Sequence, residues 1–218
     1  MTDAALEMVS RVPGRLMPKN IRGQSVRELL EATQSKIYSD SLTKVYNRRF
    51  YDEMLFVPAD QGESSLRLGL ILLDMCYFKR INDLFGHAEG DQVLAAVAAA
   101  LRRSIRPTDA LIRYGGDEFV VIMTDCAESD VLHGIQRLAL AVRKVRYGPR
   151  QELSAQADFG YGYTENFRRS ATFLAELFTI ADQSMYRRKR QRQLEEAQRP
   201  DAAAAPGGAP GSRDDPQA

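Results

Sequence analysis

The alternation of apolar patterns along this chain predicts an α/β (α+β) fold, a sheet covered by helices, and three observations carry that expectation. Leu66 to Met75 is an almost continuous apolar run of strand length, as a strand buried on both faces requires. Val93, Val97, Leu101 and Ile105 recur every fourth residue between Ala88 and Ile105, the stripe of a helix with one face on a core. Ala110 to Ile112 and Phe119 to Met123 are short, apolar and rich in β-branched residues. They flank Gly115-Gly116, which predicts a hairpin turning at the glycines.

Taken in order, residues 1 to 24 carry Pro13 and Pro18 and no periodicity, and are expected to be loose. Ser25 and Glu28 form a capping-box pattern. Val26, Leu29, Leu30, Thr33 and Ile37 follow at helical spacing, so a helix is expected over 25–39. The long strand is expected to end at Asp74, with the stripe helix and the hairpin after it. Val131, Ile135, Leu138, Val142 and Val145 make a second amphipathic helix. Residues 152 to 163 read as strand, and 170 to about 193 as a final helix with Leu174, Leu177, Ala181 and Ser184 inward. After Pro200 the composition is mostly Ala, Pro, Gly and Asp, too poor in apolar residues to fold. The expected organisation is an N-terminal segment and helix over 1–37, a folded domain over 38–194 and a disordered tail over 195–218.

A length of 218 residues suffices for one sizeable domain with its own core. The formal net charge of +1 gives no electrostatic case for nucleic acid or an acidic membrane surface. Two cysteines, Cys76 and Cys126, do not make a disulfide framework. No apolar run reaches membrane-spanning length, and Asp3 and Glu7 stand where a signal peptide would be apolar. The expectation is a soluble, cytoplasmic protein.

Arg113-Tyr114-Gly115-Gly116-Asp117-Glu118-Phe119 is the most informative run. Glycine tolerates positive φ and lets a ligand approach bare backbone, so Gly115 and Gly116 are candidate substrate-contacting residues. The adjacent carboxylates can hold a divalent cation against phosphate oxygens, or can simply be solvated. Between the long strand and the stripe helix, Asp74 ends the strand and Lys79 follows it. Asn82 and Asp91 then surround a Gly86-His87 turn. Asp74 can share a metal with Asp117, Lys79 can meet phosphates, and Asn82 with Asp91 can bond a base edge. A polar, capping loop accounts for the same spacing equally well.

Four segments together resemble one family. They are the GGDEF run, Asp40-x-Leu42-Thr43-x-x-x-Asn47-Arg48-Arg49, Phe78-Lys79-x-Ile81-Asn82-Asp83-x-x-Gly86-His87-x-x-Gly90-Asp91, and Ala181-Asp182-x-x-x-Tyr186-x-x-Lys189. Their order and spacing are those of the GGDEF diguanylate cyclases, over roughly residues 38 to 193. The resemblance implies a central mixed or antiparallel sheet surrounded by helices, related to the palm of polymerases and nucleotide cyclases. It implies condensation of two GTP to cyclic di-GMP and two pyrophosphates, with Mg²⁺ or Mn²⁺ as cofactor, by a homodimer whose half-sites face each other. Asp74, the Met75 carbonyl and Asp117 would ligate metal. Asn82 and Asp91 would read guanine, within a substrate site that also includes Phe78. Lys79 and Lys189 would contact triphosphate, and Asp117 or Glu118 would assist proton removal.

Arg106-Pro107-Thr108-Asp109, five residues upstream of the glycines, resembles the family's inhibitory site for the product. By itself Arg-x-x-Asp reads as a surface ion pair. The chain also departs from the family pattern. Cys76 stands where most members carry a second acid, Asp158 where a small serine is commoner, and Arg192-Gln193 where Gly-Arg-Asn is usual. Cys76 reads as a tolerated small residue rather than a redox sensor. His87, His133, Tyr161, Tyr163 and the run Arg187 to Arg192 are assigned to structure, not to metal or nucleic acid. An active cyclase is the leading expectation. The alternative is a catalytically silent domain that binds cyclic di-GMP at Arg106 and Asp109.

Overall fold

The computed structural model describes residues 36–54, 66–167 and 171–197. The elements are β1 (Tyr46–Asn47), α1 (Arg48–Met54), β2 (Leu66–Met75), α2 (Phe78–Phe85) and α3 (His87–Arg103), then the hairpin β3 (Ala110–Arg113) and β4 (Glu118–Thr124). They continue as α4 (Glu128–Arg143), β5 (Arg146–Tyr147), β6 (Leu153–Ser154), β7 (Ala157–Phe167) and α5 (Ala171–Ala197). The main sheet runs β1-β3-β4-β2-β7, with β1 parallel to β3 and the other pairs antiparallel. β5 and β6 form a separate ribbon. The fold is a mixed-sheet α+β domain.

Alternation along β2 divides the core. Ile71, Leu73 and Met75 pack with Phe119 and Val121 against Val93, Val97 and Leu101 of α3 and Val131 and Leu138 of α4. Leu70 and Leu72 pack on the other face with Val120 and Ile122, against Tyr51 of α1 and Leu174, Leu177, Ala181 and Met185 of α5. Asp74 continues the second parity, which puts it under α5. That helix lies directly on the sheet: a Cβ on Gly160 would run into the Ala181 carbonyl and the Met185 amide. Close backbone approach of this kind leaves α5 little freedom to slide.

The long strand, the stripe helix, the hairpin, the second amphipathic helix and the final helix all form where their periodicity puts them. The differences are local. The long strand runs one residue further, to Met75. α3 stops at Arg103 with Ser104 as its cap, so Ile105 is only half-buried and Arg106 lies outside the helix. The expected strand over 152–163 is two strands, one pairing in the small ribbon and the other reaching Phe167. Met185 takes the core position expected of Ser184, and α5 continues to Ala197. Sequence reading missed β1, α1 and β5, whose brevity leaves no usable period. It also missed α2, whose eight residues it read as a loop. Of the helix expected over 25–39, residues 36–38 are described and helical. Ser39 leaves the helix to form an isolated antiparallel bridge with Tyr46, and residues 25–35 and the tail beyond 197 lie outside the described residues.

Candidate active site

At the end of β2, Asp74 sits directly opposite Glu118 of β4 on one side and Asp158 of β7 on the other. Three carboxylates abreast on one face repel each other. α5, lying over that face, supplies the cations. Lys189 Nζ donates to Asp74 Oδ2 at 2.9 Å. Arg192 closes a fork on Asp158, Nε to Oδ1 at 2.9 Å and Nη2 to Oδ2 at 2.8 Å. The bond to Asp74 raises the Lys189 ammonium above its ordinary range, so it stays charged.

Asp117 joins this edge from the hairpin turn. The Met75 N–H donates to the Asp117 carbonyl at 3.2 Å, stitching the turn to the end of β2. Burial first, and then the charge of Asp74, push the Asp117 carboxyl up. Burial, Asp74 and Asp117 do the same to Glu118. These acids therefore crowd one space, which a divalent cation would relieve. The glycines differ from expectation in their reason. Among the described residues the positive-φ glycines are Gly86 and Gly148, so neither hairpin glycine needs that conformation. Gly115 instead gives room, because the Glu118 carboxylate occupies the place a Cβ would take, while Gly116 faces open space.

The turn has an anchor that sequence reading overlooked. Arg113 donates to the Gly116 carbonyl through Nε at 3.2 Å and Nη2 at 2.7 Å, and through Nη1 to Asp40 Oδ1 at 3.1 Å. That same oxygen accepts from the Thr43 N–H at 2.8 Å and the Thr43 hydroxyl at 2.6 Å. Burial alone would push the Asp40 carboxyl up; the bonds from Thr43 and Arg113 outweigh it and leave the group below its usual range. The Asp40–Thr43 segment thus braces the glycine turn from behind. The available signal was Arg113 itself, a charged residue between apolar Ile112 and the turn.

Of the other expected residues, Lys79 and Asp91 are exposed and Phe78 and Asn82 are half-buried. The Asn82 side-chain oxygen lies where a Cβ on Gly90 would be, with the tip of the Phe78 ring beside it. The missing side chain at 90 therefore lets α2 and α3 bring Asn82 next to the turn of helix that carries Asp91. Lys79 lies in the first turn of α2 and Lys189 on α5, so the two lysines belong to different elements.

The Arg106–Asp109 segment differs from the surface ion pair its spacing suggested. Asp109 is 3 % exposed, and its Oδ2 accepts from the Arg106 main-chain N–H at 2.9 Å. The Arg106 guanidinium is half-exposed and faces Asp130 of α4 at 3.7 Å. Asp109 Oδ1 has no hydrogen-bond partner among the described residues. The three departures from the family pattern also come together. Cys76 is buried, and burial with the neighbouring Asp158 pushes its thiol up to about 12, so it is neutral and a poor nucleophile. Asp158 in turn holds Arg192.

The remaining features have structural roles. Tyr161 donates to Glu128 and Tyr163 to the Cys126 carbonyl. His133 lines an open groove of about 590 Å³ between α3 and α4, remote from the carboxylates. No described helix is long and apolar enough to cross a membrane. Among the described residues no group of three His, Cys, Asp or Glu side chains is gathered as a complete metal cage. Two carboxylates and a carbonyl at a strand end still suit Mg²⁺, which binds through one or two carboxylates and substrate phosphates rather than in a protein cage.

Fold and edge together define an α+β domain with carboxylates gathered at the end of β2 and faced by Lys189. The family model for "Diguanylate cyclase, GGDEF domain" matches residues 37–195, and the chain belongs to that family. It is 31% identical over 173 residues to diguanylate cyclase DosC of Escherichia coli (strain K12), covering 76% of this chain and 36% of that protein. It is 36% identical over 139 residues to the response regulator PleD of Caulobacter vibrioides (strain NA1000 / CB15N), covering 62% and 30%. The chain thus spans about a third of the length of these curated relatives. Among solved structures, diguanylate cyclase SiaD in complex with its activator SiaC from Pseudomonas aeruginosa superposes with a TM-score of 0.65 at 27% identity. That match covers 86% of this chain and 69% of SiaD. The coiled coil and GGDEF domain of DgcB from Caulobacter crescentus, in complex with c-di-GMP, gives 0.65 at 26% identity, covering 76% and 87%.

Proposed function

We propose that this domain is an active diguanylate cyclase, condensing two GTP into cyclic di-GMP and two pyrophosphates as a homodimer with one GTP per domain. The observation that carries the reading is the convergence of Asp74 and Asp117, stitched by the Met75–Asp117 main-chain bond and faced by Lys189. Asp74, the Met75 carbonyl and Asp117 would hold Mg²⁺ or Mn²⁺, which when bound lowers the pKa of an attacking 3′-hydroxyl and neutralises phosphate charge. Lys79 and Lys189 orient the triphosphate, and bare backbone at Gly116 lets it approach. Asp117 or Glu118, both with raised carboxyls, would assist removal of the hydroxyl proton. Asn82 and Asp91 read the guanine edge. Asp91 is exposed in the free domain; adenine offers no matching donor pair, so a bound ATP that displaced its water would cost about 1–3 kcal/mol.

Product inhibition at Arg106 and Asp109 belongs to the same proposal. The unpartnered, buried Asp109 Oδ1 supports it, since a purine N–H is the kind of donor that oxygen lacks, and the half-exposed Arg106 guanidinium can turn to a guanine edge or a phosphate. Incubating the full chain with GTP or ATP and Mg²⁺, then resolving nucleotides by chromatography, tests the reading. Cyclic di-GMP from GTP and little product from ATP is expected. Cyclic di-GMP binding with no linear or cyclic dinucleotide made would replace it with the silent receptor.

A further inference from the structure

Arg192 joins three parts of the molecule that are remote in sequence. Its fork holds Asp158 of β7. Its Nη1 donates to the Tyr77 hydroxyl at 2.7 Å, and its guanidinium lies over the Tyr77 ring, 5.1 Å from the centroid. The side chains of this pair are 22% and 8% exposed, so the ions meet largely out of water, where a doubly bonded fork is strong and geometrically selective. Tyr77 is the residue before Phe78 and Lys79, and it sits in the left-handed region with φ 58°. A bulky residue holds that conformation only where its surroundings over-determine it. The arginine contributes to that restraint through the hydroxyl bond and the ring contact. One turn before Arg192 on the same helix is Lys189, bonded to Asp74.

We propose that Arg192 is a positioning residue. By clamping α5 to Asp158 and to the Tyr77 turn, it fixes the start of α2 against α5, so that Lys79 and Lys189 address one triphosphate. The inference rests on the GTP-site reading above. The contrast between the two cations of α5 supports the division of labour. Lys189 holds Asp74 through one bond and is 38% exposed, so it can exchange its carboxylate for a phosphate. Arg192 is engaged by the Asp158 carboxylate and by Tyr77.

The test compares wild type with Arg192→Ala, Asp158→Asn and Tyr77→Phe, measuring equilibrium binding of a non-hydrolysable GTP analogue and of GMP with Mg²⁺, alongside thermal unfolding. Each variant is expected to weaken the GTP analogue about tenfold while changing GMP less than about twofold, because the clamp serves the phosphates and not the base. The double variant Arg192→Ala/Tyr77→Phe should be no worse than Arg192→Ala, as for members of one unit. Tyr77→Phe removes only a hydroxyl, so it keeps the test sound where Arg192→Ala fails to fold. Equal GTP-analogue affinity in wild type and Tyr77→Phe overturns the clamp. Tighter binding in Asp158→Asn also overturns it, since release of the arginine would then help, as in direct phosphate contact. Wild type that binds the GTP analogue but makes no dinucleotide removes the cyclase reading and leaves the clamp standing on these binding results.

Discussion

The strand-end acids and the Arg106–Asp109 loop both place aspartates in buried or half-buried positions, and they are provisioned in opposite ways. At the strand end, Glu118, Asp74 and Asp158 stand abreast with Asp117 beside them, and α5 answers with one lysine and one arginine. Carboxylate is in excess there. In the loop a single aspartate caps a main-chain N–H, keeps one oxygen unpartnered among the described residues, and sees its neighbouring arginine turned toward Asp130. A donor is wanting there. The roles proposed above follow that contrast, a cation for the first and a hydrogen-bonding ligand for the second. The rigid hairpin β3–β4 lies between them, so the two can be separated by mutation.

Asp117→Asn should give the largest effect, cutting cyclic di-GMP formation at least about a hundredfold, since a lost metal carboxylate removes several kcal/mol of transition-state stabilisation. Product affinity measured by isothermal titration should stay within about twofold of wild type, because the loop is untouched. Near-normal turnover would break the comparison by showing that the metal acids have been misplaced. Arg106→Ala should do the reverse. It should weaken cyclic di-GMP about tenfold or more, as expected for a bidentate charged contact, while product accumulates further. Unchanged product affinity would reduce the loop to a backbone cap.

The smallest effect is on stability against pH. Asp117 and Glu118 have raised carboxyls, so their stabilising contribution is fully present below the ordinary carboxylate range and is lost as pH rises through their raised values. Asp40 is lowered, so its contribution is present above the ordinary range and is lost as pH falls through its lowered value. With chelator present, Asp117→Asn should be more stable than wild type near neutrality, by on the order of 1–2 °C in Tm, and the gap should close as pH falls toward about 4. A gap unchanged across that range would mean that the acids do not repel at this edge.

The fold was legible wherever a period ran long enough. β2 declares itself through an almost unbroken apolar run, and α3, α4 and α5 through buried residues three or four apart. β1 and the β5–β6 ribbon pair through two residues each, and nothing so short carries a pattern. α2 carries Phe78, Ile81 and Phe85 at helical spacing, yet only Ile81 is buried, and its polar residues read as a site loop. The acids and lysines of the edge were legible as residue types in a familiar order. Their partners were not. Arg113 on Asp40 spans 73 positions and Arg192 on Asp158 spans 34, and no local rule connects residues across such distances. The Asp109 bond was hidden for the opposite reason: its partner is a backbone amide three residues away, and spacing alone cannot tell that from an ion pair.

The Asp158–Arg192 fork also constrains the history of this chain. A lineage that gained Asp158 first would have carried an uncompensated carboxylate in a buried strand position next to Asp74, with both solvation and repulsion against it. Arginine first is the gentler route, because a side chain on α5 can swing into water until a partner arrives. Once both are present, losing Arg192 alone strands a buried Asp158, whereas losing Asp158 alone only returns the arginine to water. The fork is therefore ordered and not symmetric: position 192 is the gentle way in, and position 158 the gentle way out.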